Sequence, residues 1–226
     1  MLEPDFVCLD AQHGADLGLL SAQTFTAMAN YDVPGLVRVA RNDPSDIGRA
    51  LDLGAAGVMV PMIETVGDAD AATASFRYGS NGTRSYGIQT PRVDPISSAY
   101  QPVCAVQIET ASAIENIDEI AGMDGVDWLY VGPADLGLAL GGIPAPDVLS
   151  VFDGSHPLSN QLLEAFGLVV SAAAEHDKLA GLHCGSGEAT LAAQDHGFAV
   201  SSVAADLSEV GAGFSRQLMT ARGRES

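Results

Sequence analysis

Two carboxylates set the chemistry this chain could perform. Val106-Gln107-Ile108-Glu109-Thr110 and Val131-Gly132-Pro133-Ala134-Asp135-Leu136 each close an apolar, β-like run with one acid, and Glu109 and Asp135 lie 26 residues apart. An unpaired charge in an apolar setting is very costly, so a buried strand should not finish in a bare acid. With a helix between them, successive parallel strands bring both acids to one mouth of the sheet. Two convergent hard oxygen ligands suit Mg²⁺ or Mn²⁺, with water and substrate filling the other positions. Two unrelated acids capping strand-end turns would give the same spacing, so spacing alone leaves both readings open.

Other residues bear on the same mouth. Arg38 lies inside the apolar run Gly35 to Val39, where a solvated charge is not expected; an ion pair with a carboxylate such as Asp10 is its plain structural role. His13 closely follows the run Phe6 to Leu9. An imidazole with a pKa of about 6.5 suits proton transfer at neutral pH, although a surface turn would also account for it. Lysine occurs once, at Lys178, just before a strand and so at the far end from the mouth. A Schiff-base mechanism, which needs a lysine in the site, is not expected.

The elements that must position these groups are legible. Seven strand-like runs (6–9, 35–39, 57–61, 103–108, 128–131, 179–183 and 198–203) alternate with helix-like segments. Asp43-Pro44 opens one helix as N-cap and first helical residue; Leu158 to Glu175 and Asp206 to Arg222 read as two more. Alternation argues for a parallel α/β sheet, and continuous apolar strands for cover on both faces. No glycine-rich dinucleotide fingerprint follows a strand, which disfavours a Rossmann fold. Asp10, Arg38, Glu109, Asp135 and His183 fall at or just after strand C-termini, where barrel active sites are built. The segment Tyr78 to Pro102, rich in Gly, Ser, Pro and Arg, reads as a long active-site loop. Gly185-Ser186-Gly187 reads either as an anion-binding turn or as an ordinary helix cap, and His183 with Cys184 as core or supporting residues in preference to a zinc pair, since no third soft ligand is nearby in sequence.

Composition narrows the function classes. At 226 residues, 47% of them hydrophobic, the chain fits one domain, residues 1–226, with a sizeable core. A net charge of −19 makes nucleic acid a poor partner. The apolar runs are too short to span a bilayer, and no signal sequence opens the chain, so a cytoplasmic protein is expected. Cys8, Cys104 and Cys184 show no CxxC spacing and read as reduced thiols.

Taken in order, Asp10-Ala-Gln-His13-Gly14, Leu36-Val-Arg38-Val39, Asn42-Asp-Pro44, Val60-Pro-Met62, Gly82-Thr-Arg84-Ser-Tyr-Gly87, Gln107-Ile-Glu109-Thr110 and Gly132-Pro-Ala-Asp135-Leu136 resemble the HpcH/HpaI aldolases. The resemblance runs from about Phe6 to the last helix. It implies a (β/α)8 TIM-barrel type fold and a class II, metal-dependent aldolase whose type member cleaves 4-hydroxy-2-oxo-heptanedioate. It also implies a divalent cation (Mg²⁺, Mn²⁺ or Co²⁺) on Glu109 and Asp135. Arg38 falls beside the pyruvate carbonyl oxygen, His13 is the acid/base, and Asp52 is the carboxylate paired with that histidine. Gln107 helps to hold the metal-bound ligands, and the backbone around Pro133, Ala134 and Asp135 receives the pyruvate carboxylate. Expected partners are a small 2-oxo acid and an aldehyde, within a homo-oligomer built as a trimer-based hexamer with exchanged C-terminal helices.

Three features depart from the family pattern. The sequence starts almost directly at what would be the family's second strand, so a barrel short of its first βα unit is expected; Gln12 stands where a glutamate is usual, and the loop from Gly87 to Val103 is short. They keep two alternatives in play: a relative recruited to another enolate reaction, such as decarboxylation or cyclisation, and a degenerate, non-catalytic barrel.

Overall fold

Short apolar segments form all seven strands of the single sheet in this computed structural model, which describes residues 4–14, 20–87 and 101–223. They are β1 (Val7–Asp10), β2 (Gly35–Arg38), β3 (Gly57–Val60), β4 (Val103–Ile108), β5 (Trp128–Val131), β6 (Leu179–His183) and β7 (Val200–Ser202). Spatial order equals chain order and every pairing is parallel. The helices between them are α1 (Ala22–Asn30), α2 (Pro44–Asp52), α3 (Val66–Ala74), α4 (Ala111–Glu115), α5 (Ile117–Ala121), α6 (Pro133–Gly141), α7 (Val148–Phe152), α8 (Ser159–Glu175) and α9 (Gly187–Asp195). The helix α10 (Asp206–Ala221) follows β7.

Alternation along each strand sorts the side chains into two cores. Val37, Val58, Val60, Val106, Ile108, Leu129, Val131 and Leu182 point outward into the layer shared with the helices. The α8 helix fills much of that layer with Leu162, Ala165, Phe166, Val169 and Ala173, spaced at three and four residues. The opposite row, Met59, Ala105, Tyr130 and Val200 with Phe6 and Trp128 against it, makes a smaller inner core. Gly181 belongs to this row, and a Cβ there would run into the Tyr130 ring.

The sheet is curled, not flat. In a flat sheet β1 and β6 would lie five spacings of about 4.8 Å apart. Instead the imidazole of His183 on β6 feels the charges of Asp10 and Arg38, and the phenol of Tyr130 on β5 feels Cys8 on β1. The architecture is thus α/β with seven parallel strands wrapped toward a barrel, consistent with the TIM-barrel type lacking a unit. Among the described residues β1 and β7 each pair on one side only.

Helix starts follow local chemistry. Asp43 accepts N–H groups from Ser45 and Asp46 at the start of α2, with Pro44 in its first turn, and Thr65 and Asp68 form a reciprocal capping box on α3. Ser186 caps α9 through the Ala189 N–H, the ordinary helix-cap reading of that turn. Among the described residues no helix is long and apolar enough to cross a membrane.

Candidate active site

Glu109 directly follows β4 and is buried. Both of its oxygens are held by the protein: Oε1 accepts the Met62 N–H at 2.8 Å and Oε2 accepts Gln107 Nε2 at 3.0 Å. Gln107 sits two residues earlier on the same strand face, fully packed, and its Oε1 has no hydrogen-bond partner among the described residues. Met62 holds its N–H in place with a positive φ of 56°, an uncommon backbone for a side-chain-bearing residue. Gly132 lets β5 approach, because a Cβ there would collide with the Glu109 carboxylate. Burial raises the Glu109 carboxyl above the usual range; the Met62 N–H opposes this, the charge of Asp135 adds to it, and Arg38 opposes it from further away.

Asp135 lies exposed in the first turn of α6, close enough to Glu109 for the two charges to repel. Pro133 at the start of α6 has no N–H of its own, so the free donors of that turn are the amides that follow it.

The other half of the mouth is built around Asp10, at the end of β1 and in register with Arg38 on β2. Asp10 accepts Arg38 Nε at 2.9 Å and its terminal nitrogen at 2.5 Å, a two-pronged pair. It also accepts the backbone N–H groups of Gln12 and His13 at 3.0 and 3.2 Å. One carboxylate thus orients the arginine and fixes the turn that carries His13, whose side chain is exposed at the mouth. Burial alone would raise the Asp10 carboxyl, yet the Arg38 hydrogen bonds and the His13 N–H hold it below the usual range. For Arg38, burial acts downward and the Asp10 hydrogen bond and charge outweigh it.

The HpcH/HpaI aldolase/citrate lyase profile matches residues 1–207. The chain belongs to the HpcH/HpaI aldolase/citrate lyase family. It is 32% identical over 227 residues to a hydroxypyruvate/pyruvate aldolase from Rhizorhabdus wittichii, covering 98% of this chain and 86% of that protein. It is 32% identical over 178 residues to a 4-hydroxy-2-oxo-heptane-1,7-dioate aldolase from Klebsiella pneumoniae, covering 74% of this chain and 67% of the relative. A solved HpcH/HpaI aldolase/citrate lyase family protein from Burkholderia cenocepacia superposes with a TM-score of 0.81 at 29% identity, covering 96% of this chain and 86% of that one. The protein is therefore an aldolase or lyase of this family.

Within one chain of this HpcH/HpaI member, Asp52 is found with a partner other than His13. Asp52 ends α2, which runs back from the mouth, so it lies at the N-terminal end of the sheet while His13 lies at the other. Its carboxylate accepts Arg84 at 2.9 Å, and among the described residues no hydrogen bond joins it to His13. Arg84 is buried, with its guanidinium 4.7 Å from the centre of the Tyr78 ring. The described part of the expected active-site loop is drawn to the same end. Thr83 and Arg84 bond back to Ala74 and Arg77, and Gly87 lies beside Asp52. A segment joining a helix to the next strand belongs there, since βα loops alone open on the mouth. Residues 88–100 of that loop lie outside the described residues.

Three contributors had weak sequence signals. Met62 carries no glycine or asparagine to announce its backbone. Gly132 is marked only by being a glycine after a strand. Asp10 was visible as a strand-end acid, but its triple role depends on register with Arg38.

Proposed function

We propose that this chain is a divalent-metal-dependent carbon–carbon lyase that cleaves or forms a 4-hydroxy-2-oxo acid, with pyruvate as one partner. The observation that carries the reading is the Gln107–Glu109 arrangement. A buried carboxylate is held by two donors and pressed by a second carboxylate, beside a buried amide oxygen that lacks a donor. A buried acceptor without a partner is uncommon and costly. A cation on Glu109 and Asp135 would relieve the repulsion, and molecules brought with it can donate to Gln107 Oε1. Among the described residues no cluster of three or more His, Cys, Asp or Glu side chains could hold a metal. A two-carboxylate site with positions left for water and substrate suits a hard cation such as Mg²⁺, Mn²⁺ or Co²⁺.

When bound, the cation supplies Lewis-acid stabilisation of negative charge on the 2-oxo oxygen. The residues of the chain do the rest. Arg38, fixed by Asp10, directs its charge at the same developing oxyanion. The first-turn amides of α6, at Ala134 and Asp135, receive the substrate carboxylate, as helix N-termini do. His13 takes the proton from the 4-hydroxyl as the C3–C4 bond breaks. The C4 fragment leaves as an aldehyde, and the bonding electron pair becomes the enolate of pyruvate, which is then protonated at C3.

Turnover tests this reading. Pyruvate with a panel of aldehydes, and 4-hydroxy-2-oxo acids in the cleavage direction, should be substrates only with divalent cation present. His13→Ala should lower kcat by about 10²–10⁴-fold. Full activity in excess EDTA, or wild-type rates for His13→Ala, would overturn it. No turnover on any substrate would leave a non-catalytic barrel.

A further inference from the structure

His183 is a chemically capable group at the mouth that the mechanism above does not use. It ends β6, two residues after Gly181, which faces the inner core at Tyr130, so the imidazole lies on the inner face at the open end. Its Nδ1 is 2.9 Å from Ser202 Oγ, on the residue directly opposite in register. Ser202 Oγ also accepts the Cys184 N–H at 3.3 Å, which fixes the oxygen from the backbone. The Tyr130 hydroxyl also hydrogen-bonds Ser202 and can donate its own proton to that oxygen; with the Ser202 proton given to Nδ1, a neutral ring carries its own proton on Nε2. Nε2 has no partner among the described residues, and the ring keeps exposed surface at the mouth. Burial and the charge of Arg38 both lower the His183 pKa, against the pull of Asp10, and so favour the neutral ring.

The position relative to the rest of the site is specific. Arg38 is within electrostatic reach of Glu109 on one side and of His183 on the other. A 2-oxo acid held at Glu109 and Asp135, with its carbonyl at Arg38, would therefore lie in the part of the mouth that His183 also borders. We propose that His183 is a specificity-determining residue at the aldehyde end of the site. Its Nε2–H hydrogen-bonds an oxygen substituent on the aldehyde chain, selecting hydroxylated or carboxylated aldehydes over alkyl ones. A donor fixed by a serine and a backbone amide cannot turn away when an alkyl chain arrives. It is then left unpaired, and sites built to hydrogen-bond a substrate group discriminate strongly against analogues that lack it.

The inference rests on the aldolase reading, and the experiment separates the two. Condensation of pyruvate with glyceraldehyde and with propionaldehyde, both three-carbon aldehydes, gives a kcat/KM ratio for each protein. Taking this ratio within one protein cancels losses from misfolding. Wild type should favour glyceraldehyde. His183→Leu should lower the ratio by about tenfold or more, the order of one hydrogen bond, and His183→Gln, which retains a donor, should recover part of it. A ratio within twofold of wild type in His183→Leu would overturn the proposal while leaving the aldolase reading intact. If wild type condenses neither aldehyde and exchanges no methyl proton of pyruvate, the aldolase reading falls and this proposal with it.

Discussion

Gln107, on β4, and Glu109, directly after it, lie two residues apart on one face, and the amide nitrogen of the first holds the carboxylate of the second at 3.0 Å. The amide oxygen of Gln107 is equally buried and has no partner among the described residues. A side chain that supports a metal ligand without touching the metal usually tunes affinity by 10–100-fold. Gln107→Leu keeps the volume and removes both polar atoms. It should weaken Mn²⁺ binding by about 10–100-fold by calorimetric titration, with the fold retained by circular dichroism. Unaltered affinity would show that Glu109 needs only Met62 to orient it.

Asp52 and Arg84 make a structural pair far from the mouth. The Arg84 side chain is 1% exposed and that of Asp52 18%. Removing one member of a buried pair strands the other charge, at a cost of about 3–5 kcal/mol. Asp52→Ala should therefore lower unfolding stability by about 3 kcal/mol, the low end of that range because Asp52 is partly open to water, as read by urea denaturation. A change below about 1 kcal/mol would mean that the Tyr78 ring alone suffices for Arg84.

Acid should act through Asp10. Its carboxyl titrates below the ordinary range when folded, burial being outweighed by Arg38 and the His13 N–H. A depressed folded value means that the pair's stabilisation is present above the unfolded value of about 3.9 and is lost as pH falls through the folded value. Urea midpoints measured from pH 6 downward should fall more steeply in wild type than in Asp10→Asn, with the difference confined to the region below about pH 4. Parallel acid limbs would remove Asp10 from the balance.

Among the described residues α10 buries none of its side chains. Leu207, Val210, Phe214 and Leu218 are 67%, 57%, 68% and 52% exposed, on a helix with no buried residue. An apolar stripe at helical spacing needs a surface to bury it, and the single-sided edges of β1 and β7 carry the same demand. The expected outcome is a homo-oligomer at micromolar concentration, seen by light scattering, with α10 exchanged between subunits in a trimer-based hexamer. Deleting residues 206–223 should disperse or unfold it. A stable monomer would show that the stripe tolerates water.

Much of this was legible from the chain. The strands emerge within a residue or two because parallel strands buried on both faces are uninterrupted apolar runs; all four residues of β3 are buried. Asp43-Pro44 starts α2 where local capping chemistry places it. Leu207 to Leu218 could be read as an apolar face, but nothing in one chain says what covers it. The site was legible where a charge interrupts an apolar run, as at Arg38 and Glu109. It was not legible where a partner is set by three-dimensional direction. Asp52 shares a motif with mouth residues, yet its helix carries it to the opposite end. His183 acquires meaning only when the sheet curls and brings β6 round to face Asp10 and Arg38.

The most direct test follows the methyl protons of pyruvate in D₂O by NMR. Exchange needs only the 2-oxo acid, a cation on Glu109 and Asp135, and a base, and it is independent of which aldehyde the enzyme uses. Exchange should be present with Mg²⁺, Mn²⁺ or Co²⁺, abolished by EDTA, restored by adding the metal back, and absent in a folded Asp135→Asn variant. Exchange that persists unchanged in EDTA, or in Asp135→Asn, would contradict a metal-stabilised enolate at this site.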